Sequence, residues 1–121
     1  MRNPAQTYQN VARQTATPRE LEASLLLRAA ARLQSIRDAW DREHTKLEEA
    51  LIFNRKLWSV FLTSVTSADH PMPREIRQNI ANLGVFVMAQ TVSLTGDRNP
   101  ERLGALISIN REVAAGLMSR P

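Results

Sequence analysis

Apolar residues between positions 17 and 117 recur at steps of three and four in four separate stretches, each bounded by polar or proline-containing breaks. Such steps line up side chains on one face of an α-helix, whose turn holds about 3.6 residues. The first stretch carries Leu21, Leu25, Ala29, Leu33, Ile36 and Trp40, and Thr17-Pro18-Arg19-Glu20 opens it. That opening predicts a capping box: the threonine side chain accepts from the amide at Glu20, proline suits the first helical position, and Glu20 reaches back. A polar break at residues 41–45 leads to Leu47, Leu51, Asn54, Trp58, Phe61 and Val65, flanked by Phe53, Leu57, Val60 and Leu62. The flanking residues widen the apolar face past half the circumference, so this second helix is expected to meet neighbours on two sides.

Residues 67–73 contain His70, Pro71 and Pro73 and mark a firm break. The third stretch then runs through Ile76, Ile80, Leu83, Val87, Thr91 and Leu94, and is apolar all round between Leu83 and Ala89. This predicts the central helix of the fold. Gly84 costs about 1 kcal/mol there relative to alanine, which a close helix crossing would justify. Gly96 is expected to end the helix in the left-handed conformation. Asn99-Pro100-Glu101 repeats the opening signal, and the last stripe is Leu103, Leu106, Ile107, Asn110, Val113, Ala114 and Leu117. No segment alternates with period two between turn signals. The reading is all-α: a compact antiparallel bundle of four main helices over residues 17–121, preceded by a polar N-terminal arm, residues 1–16, bearing Tyr8 and Val11.

Composition narrows the function. A chain of 121 residues suits one domain. It has no cysteine, which removes disulfides, thiolate nucleophiles and Cys-based zinc sites and fits a reducing cytoplasm. The N-terminus lacks the apolar core of a secretory signal, and the longest apolar run, residues 85–89, is too short to span a bilayer, so a soluble cytoplasmic protein is expected. The net charge is +4, and the basic excess is arginine, with Lys46 and Lys56 the only lysines. The arginines are scattered rather than gathered in a basic arm, so direct nucleic-acid or membrane contact is not expected.

Catalytic chemistry finds no support. His44 and His70 fall in breaks without a second metal ligand at useful spacing, and they read as solvated loop histidines. Glu48 and Glu49 point about 100° apart on a helix, Ser24, Ser59, Ser64 and Ser93 have no histidine at useful spacing, and four scattered glycines make no phosphate loop. No enzyme, metal site or cofactor is expected.

The unusual positions are polar residues on apolar faces. Asn54 and Asn110 lie on helical stripes, and Asn79 and Asn82 flank Ile80 and Leu83. A buried amide without partners costs on the order of 1–3 kcal/mol, so these either form an internal network that fixes packing or line a groove for a partner helix. Trp58 and Trp40 face the same choice between core and interface. Arg55 and Arg111, each following a stripe asparagine, are expected at the bundle edge.

Three segments together resemble a known family: Asn54-Arg55-Lys56-Leu57-Trp58; Pro73-Arg74-Glu75-Ile76-Arg77-Gln78-Asn79-Ile80 with Leu83-Gly84-Val85-Phe86-Val87-Met88; and Leu106-Ile107-Ser108-Ile109-Asn110-Arg111-Glu112-Val113. With Ala5 to Arg13 and its tyrosine, the chain resembles FlaF, the flagellar biosynthesis regulator found beside flagellin genes in alphaproteobacteria. The resemblance implies a non-enzymatic role: FlaF-like proteins promote flagellin production and export, are thought to bind flagellin as a chaperone, and act in opposition to FlbT, a repressor of flagellin translation. On that resemblance and on face position, Tyr8, Asn54, Arg55, Trp58, Asn79, Asn82, Asn110 and Arg111 are the expected partner-binding residues, with Tyr8 anchoring an arm that closes over a bound segment of flagellin. Two other functions stay open. A post-transcriptional regulator acting with or against FlbT would gather Arg28, Arg32, Arg55, Arg74, Arg77 and Arg111 on one face. A structural dimer would use the widened second helix as its interface.

Overall fold

The computed structural model describes residues 17–119. Four main helices carry the fold: α1 (Pro18–Asp38), α2 (Leu47–Val65), α3 (Arg74–Gly96) and α4 (Leu103–Met118). Thr17 accepts from the Glu20 amide at 3.1 Å and its own amide donates to the Glu20 carboxylate at 3.4 Å, so the capping box forms as the sequence predicts. The break after α1 is more ordered than expected. Residues Trp40–Glu43 form one helical turn and His44–Lys46 a 3-10 turn, which carry the chain round to α2 while Trp40 stays half-buried. Pro100–Arg102 forms a second 3-10 turn, capped by the Asn99 side chain, which accepts from the Glu101 amide at 3.0 Å.

The stripes of α2 and α4 are buried as the spacing predicts, from Leu47 to Val65 and from Leu103 to Leu117. On α1 the buried face is rotated toward smaller residues: Ala23, Leu26, Ala29, Ala30, Leu33 and Ile36 are buried, whereas Leu21 is exposed and Leu25 half-buried. The closest packing in the molecule is between α1 and α4. Both helices bury small side chains, Ala23 and Ala30 on α1 and Ala114 on α4, of the kind that permits close helix packing. The helices run in opposite directions, with Gly104 near Arg37 at one end and Leu117 near Pro18 at the other.

The expectation of a central α3 is overturned. This helix packs mainly on α2 and only lightly on α4, and it buries one narrow stripe, Ile80, Gly84, Val87, Thr91 and Leu94. All-round apolarity in the sequence reflects a helix whose outer side is also apolar, not one enclosed on all sides. Gly84 does sit at a close crossing, because a Cβ built there would lie 2.5 Å from Leu62 Cδ2. Gly96 ends α3 without positive φ, which no described residue adopts; the following residue, Asp97, is extended and its amide bonds the Ser93 carbonyl.

Two arginines fasten the ends of α3. Arg77 donates from Nη1 to the carbonyls of Ser67 (2.9 Å) and Val65 (3.3 Å), and from Nε to that of Met72 (3.1 Å). Carbonyls at a helix C-terminus carry partial negative charge and lack partners within the helix, so a guanidinium there satisfies both needs. At the other end Arg102 donates to Ser93 Oγ (2.6 Å), Gln90 Oε1 and Asp97 Oδ2 (both 3.3 Å), tying the C-terminal turn of α3 to the start of α4.

Candidate partner-binding surface

At the centre of the bundle lies a polar cluster built by three helices. Asn54 and Trp58 on α2 are one turn apart and face Asn110 on α4; all three are fully buried. Trp58 Nε1 donates to Asn110 Oδ1 at 2.9 Å, and Asn110 Nδ2 donates to Asn54 Oδ1 at 2.7 Å and to the Leu26 carbonyl on α1 at 3.3 Å. The indole N–H can only donate, so it fixes which way Asn110 points, and Asn110 in turn fixes Asn54. This order leaves Asn54 Nδ2 as the unbonded side-chain nitrogen inside the described core. For Asn54, Trp58 and Asn110 the expectation of direct partner contact therefore gives way to the internal network, because a fully buried side chain offers a partner no surface.

The other expected site residues lie outside the core. Arg55, Asn79, Asn82 and Arg111 are exposed. Arg111 Nη2 reaches Gln34 Oε1 on α1 at 3.3 Å, and Gln78 Nε2 donates to Asn82 Oδ1 at 3.1 Å along α3. Tyr8 lies outside the described residues. Of the two histidines, His44 is exposed beside the Trp40 ring, whereas His70 is half-buried and its Nδ1 accepts from the Met72 amide, so it is not the solvated loop residue expected. No cluster of three metal-ligating side chains occurs among the described residues.

What the sequence did not single out is the outer side of α3. Ile76, Leu83 and Phe86 are 46%, 37% and 43% exposed, and Val85 and Val92 are 70% and 72% exposed. The spacing sorts them into two rows. Ile76, Asn79, Leu83 and Phe86 follow steps of three, four and three, as do Asn82, Val85, Ala89 and Val92. Each row is apolar with one asparagine near its N-terminal end. Beside the second row, a cleft of about 250 Å³ between α2 and α3 has an apolar floor that includes Leu51, Ile52, Val92 and Leu94, with Arg55 and Arg98 among its lining. The signal was present in the sequence as the all-round apolar run of α3, but it points to an open face only once the neighbours of α3 are known.

The family model described as flagellar protein FlaF matches residues 4–117. The chain belongs to the FlaF family. That match takes in the three resembling segments and most of the N-terminal arm, and it makes this a flagellar protein of a family not known for enzymes. No curated protein and no solved structure matches the chain. In this FlaF-family protein the resembling segments divide by role: those of α2 and α4 supply the buried cluster, and that of α3 supplies both Arg77 and the outer apolar face. No helix among the described residues is long and apolar enough to cross a membrane.

Proposed function

We propose that this FlaF-family protein acts in the cytoplasm as a non-enzymatic chaperone that binds flagellin and promotes its synthesis and export for filament assembly. The observation that carries the reading is the open apolar side of α3. Flagellin's terminal segments are amphipathic helices, and a helix of that kind buries its apolar stripe against a row spaced by three and four residues. The row from Ile76 to Phe86 extends about 15 Å, enough for nearly three helical turns of a partner. Leu83 and Phe86 supply apolar anchors, and Asn79 and Asn82 supply polar edges. Calorimetric titration with purified monomeric flagellin in moderate salt tests this. We expect saturable one-to-one binding, lost in the Leu83→Glu/Phe86→Glu double variant while helicity is kept. No binding by the parent protein sinks the chaperone reading; unchanged binding by the variant moves the site off α3.

The alternative, control of flagellin translation with or against FlbT through RNA, is less well supported. Its six candidate arginines lie on four helices, and three are already engaged: Arg32 with Glu49, Arg77 with three carbonyls and Arg111 with Gln34.

A further inference from the structure

At the end of the bundle where α1 begins, two hollows run into one another. A groove of about 300 Å³ between α1 and α2 is lined chiefly by Pro18, Leu21, Leu25, Leu57 and Val60. A larger cleft, about 830 Å³, lies beside it and brings together the start of α1, the loop between α2 and α3, and the end of α4. Pro18, Glu22 and Ser64 line both. The groove is apolar and open: Leu21 is 41% and Val60 70% exposed.

The cleft is acidic. Among the described residues its charged lining is Arg19 against Glu20, Glu22 and Asp69, a net of −2 from one cation and three carboxylates. Glu22 is half-buried, and among the described residues its carboxylate receives only a 3.4 Å bond from Ser64 Oγ, with no ion pair. Burial pushes its carboxyl above the ordinary range, against the opposing pull of His70, Ser64 and Arg19. A carboxylate so placed gains from a nearby cation.

Residues 1–16 join the bundle at this point. They contain Arg2 and Arg13 and no acid, so their charge is opposite to that of the cleft. Their larger apolar side chains include Tyr8 and Val11, which match the groove in kind. Reach is ample. Arg13 is four residues ahead of Thr17 and can extend about 13 Å from it, and Tyr8, nine residues ahead, about 30 Å. The groove from Pro18 to Leu25 is about 10 Å long. Leu21 also holds the position that a residue ahead of the helix cap covers in a hydrophobic staple. The family match starts at residue 4, so most of the arm falls within the span that the family model describes.

We propose that the arm of this same chain is the occupant of the α1–α2 groove: Arg13 pairs with Glu22 in the acidic cleft, and Tyr8 and Val11 cover Leu21, Leu25, Leu57 and Val60. Docking of this kind shields an apolar surface in the partner-free protein and fixes the arm on the side of α2 away from the α2–α3 cleft. It is independent of flagellin binding.

The absence of cysteine makes the test direct. A nitroxide on Gln9→Cys, the sole thiol, is attached to the full chain, and paramagnetic broadening is read at the amides of Leu57, Val60 and Val92. These lie on α2 and α3, where proximity does not follow from the tether to α1. The expected result is broadening at Leu57 and Val60 severalfold above that at Val92, lost on Arg13→Glu and restored when Glu22→Lys is added. Arg13→Glu alters no residue of the four helices, so it reads the pairing even if Glu22→Lys fails to fold. Equal broadening at Val60 and Val92 overturns the proposal and leaves the groove to an external segment. Broadening indifferent to Arg13→Glu overturns the pairing. Broadening between separately labelled molecules in a mixture overturns it in favour of a second copy.

Discussion

Replacing Asn110 with alanine tests the polar cluster at its hub. The substitution removes three bonds together: the 2.9 Å bond from Trp58 Nε1, the 2.7 Å bond to Asn54 Oδ1 and the 3.3 Å bond to the Leu26 carbonyl. Two groups are then stranded. The Trp58 N–H loses its acceptor, and the Asn54 amide, whose nitrogen is already unbonded, loses its remaining partner. The Leu26 carbonyl stands inside α1, where helical bonding continues to serve it. Each stranded buried group costs about 1–3 kcal/mol, so the expected loss is about 4 kcal/mol. Domains of this size are stable by about 5–15 kcal/mol, so the variant keeps only a part of its margin. Urea unfolding followed by helix circular dichroism and tryptophan fluorescence measures it. We expect the midpoint to fall with the slope unchanged. In Asn54→Ala/Asn110→Ala the losses should fall short of additive, because neither amide then strands the other. A loss for Asn110→Ala below about 1 kcal/mol would refute the reasoning, since it would equate the cluster with a solvated surface bond.

Gly84→Ala gains about 1 kcal/mol of helix propensity but drives a Cβ into Leu62, and overpacking costs about 1–3 kcal/mol, so a net loss near 1 kcal/mol is expected. Gly116→Ala meets nothing within 4 Å and should gain stability, so thermal unfolding of the two variants should shift in opposite directions. Arg77→Ala frees the end of α2 and the loop before α3, with a loss of about 2 kcal/mol by urea unfolding; Arg77→Lys should recover only part, since one ammonium cannot match the fork that reaches three carbonyls.

Much of the fold was legible because a helix records its buried face in the spacing of its own residues. The stripes of α2 and α4 were read correctly, down to the two asparagines within them, and the box at Thr17 and Glu20 followed from four consecutive residues. Both sides of the choice at Asn54 and Asn110 could be stated in advance, but their pairing could not, since 56 residues separate them and periodicity carries no information about which helices meet. The same limit explains α3. Its apolar circumference is a property of one segment, whereas whether that circumference is enclosed depends on where the other helices lie. Tertiary structure placed α1 against α4, left α3 at the side, and so turned a run expected at the core into an open face. Arg77 shows the limit at a single residue: its charge and position suit a solvated helix surface, and only the fold around it brings three carbonyls within its reach.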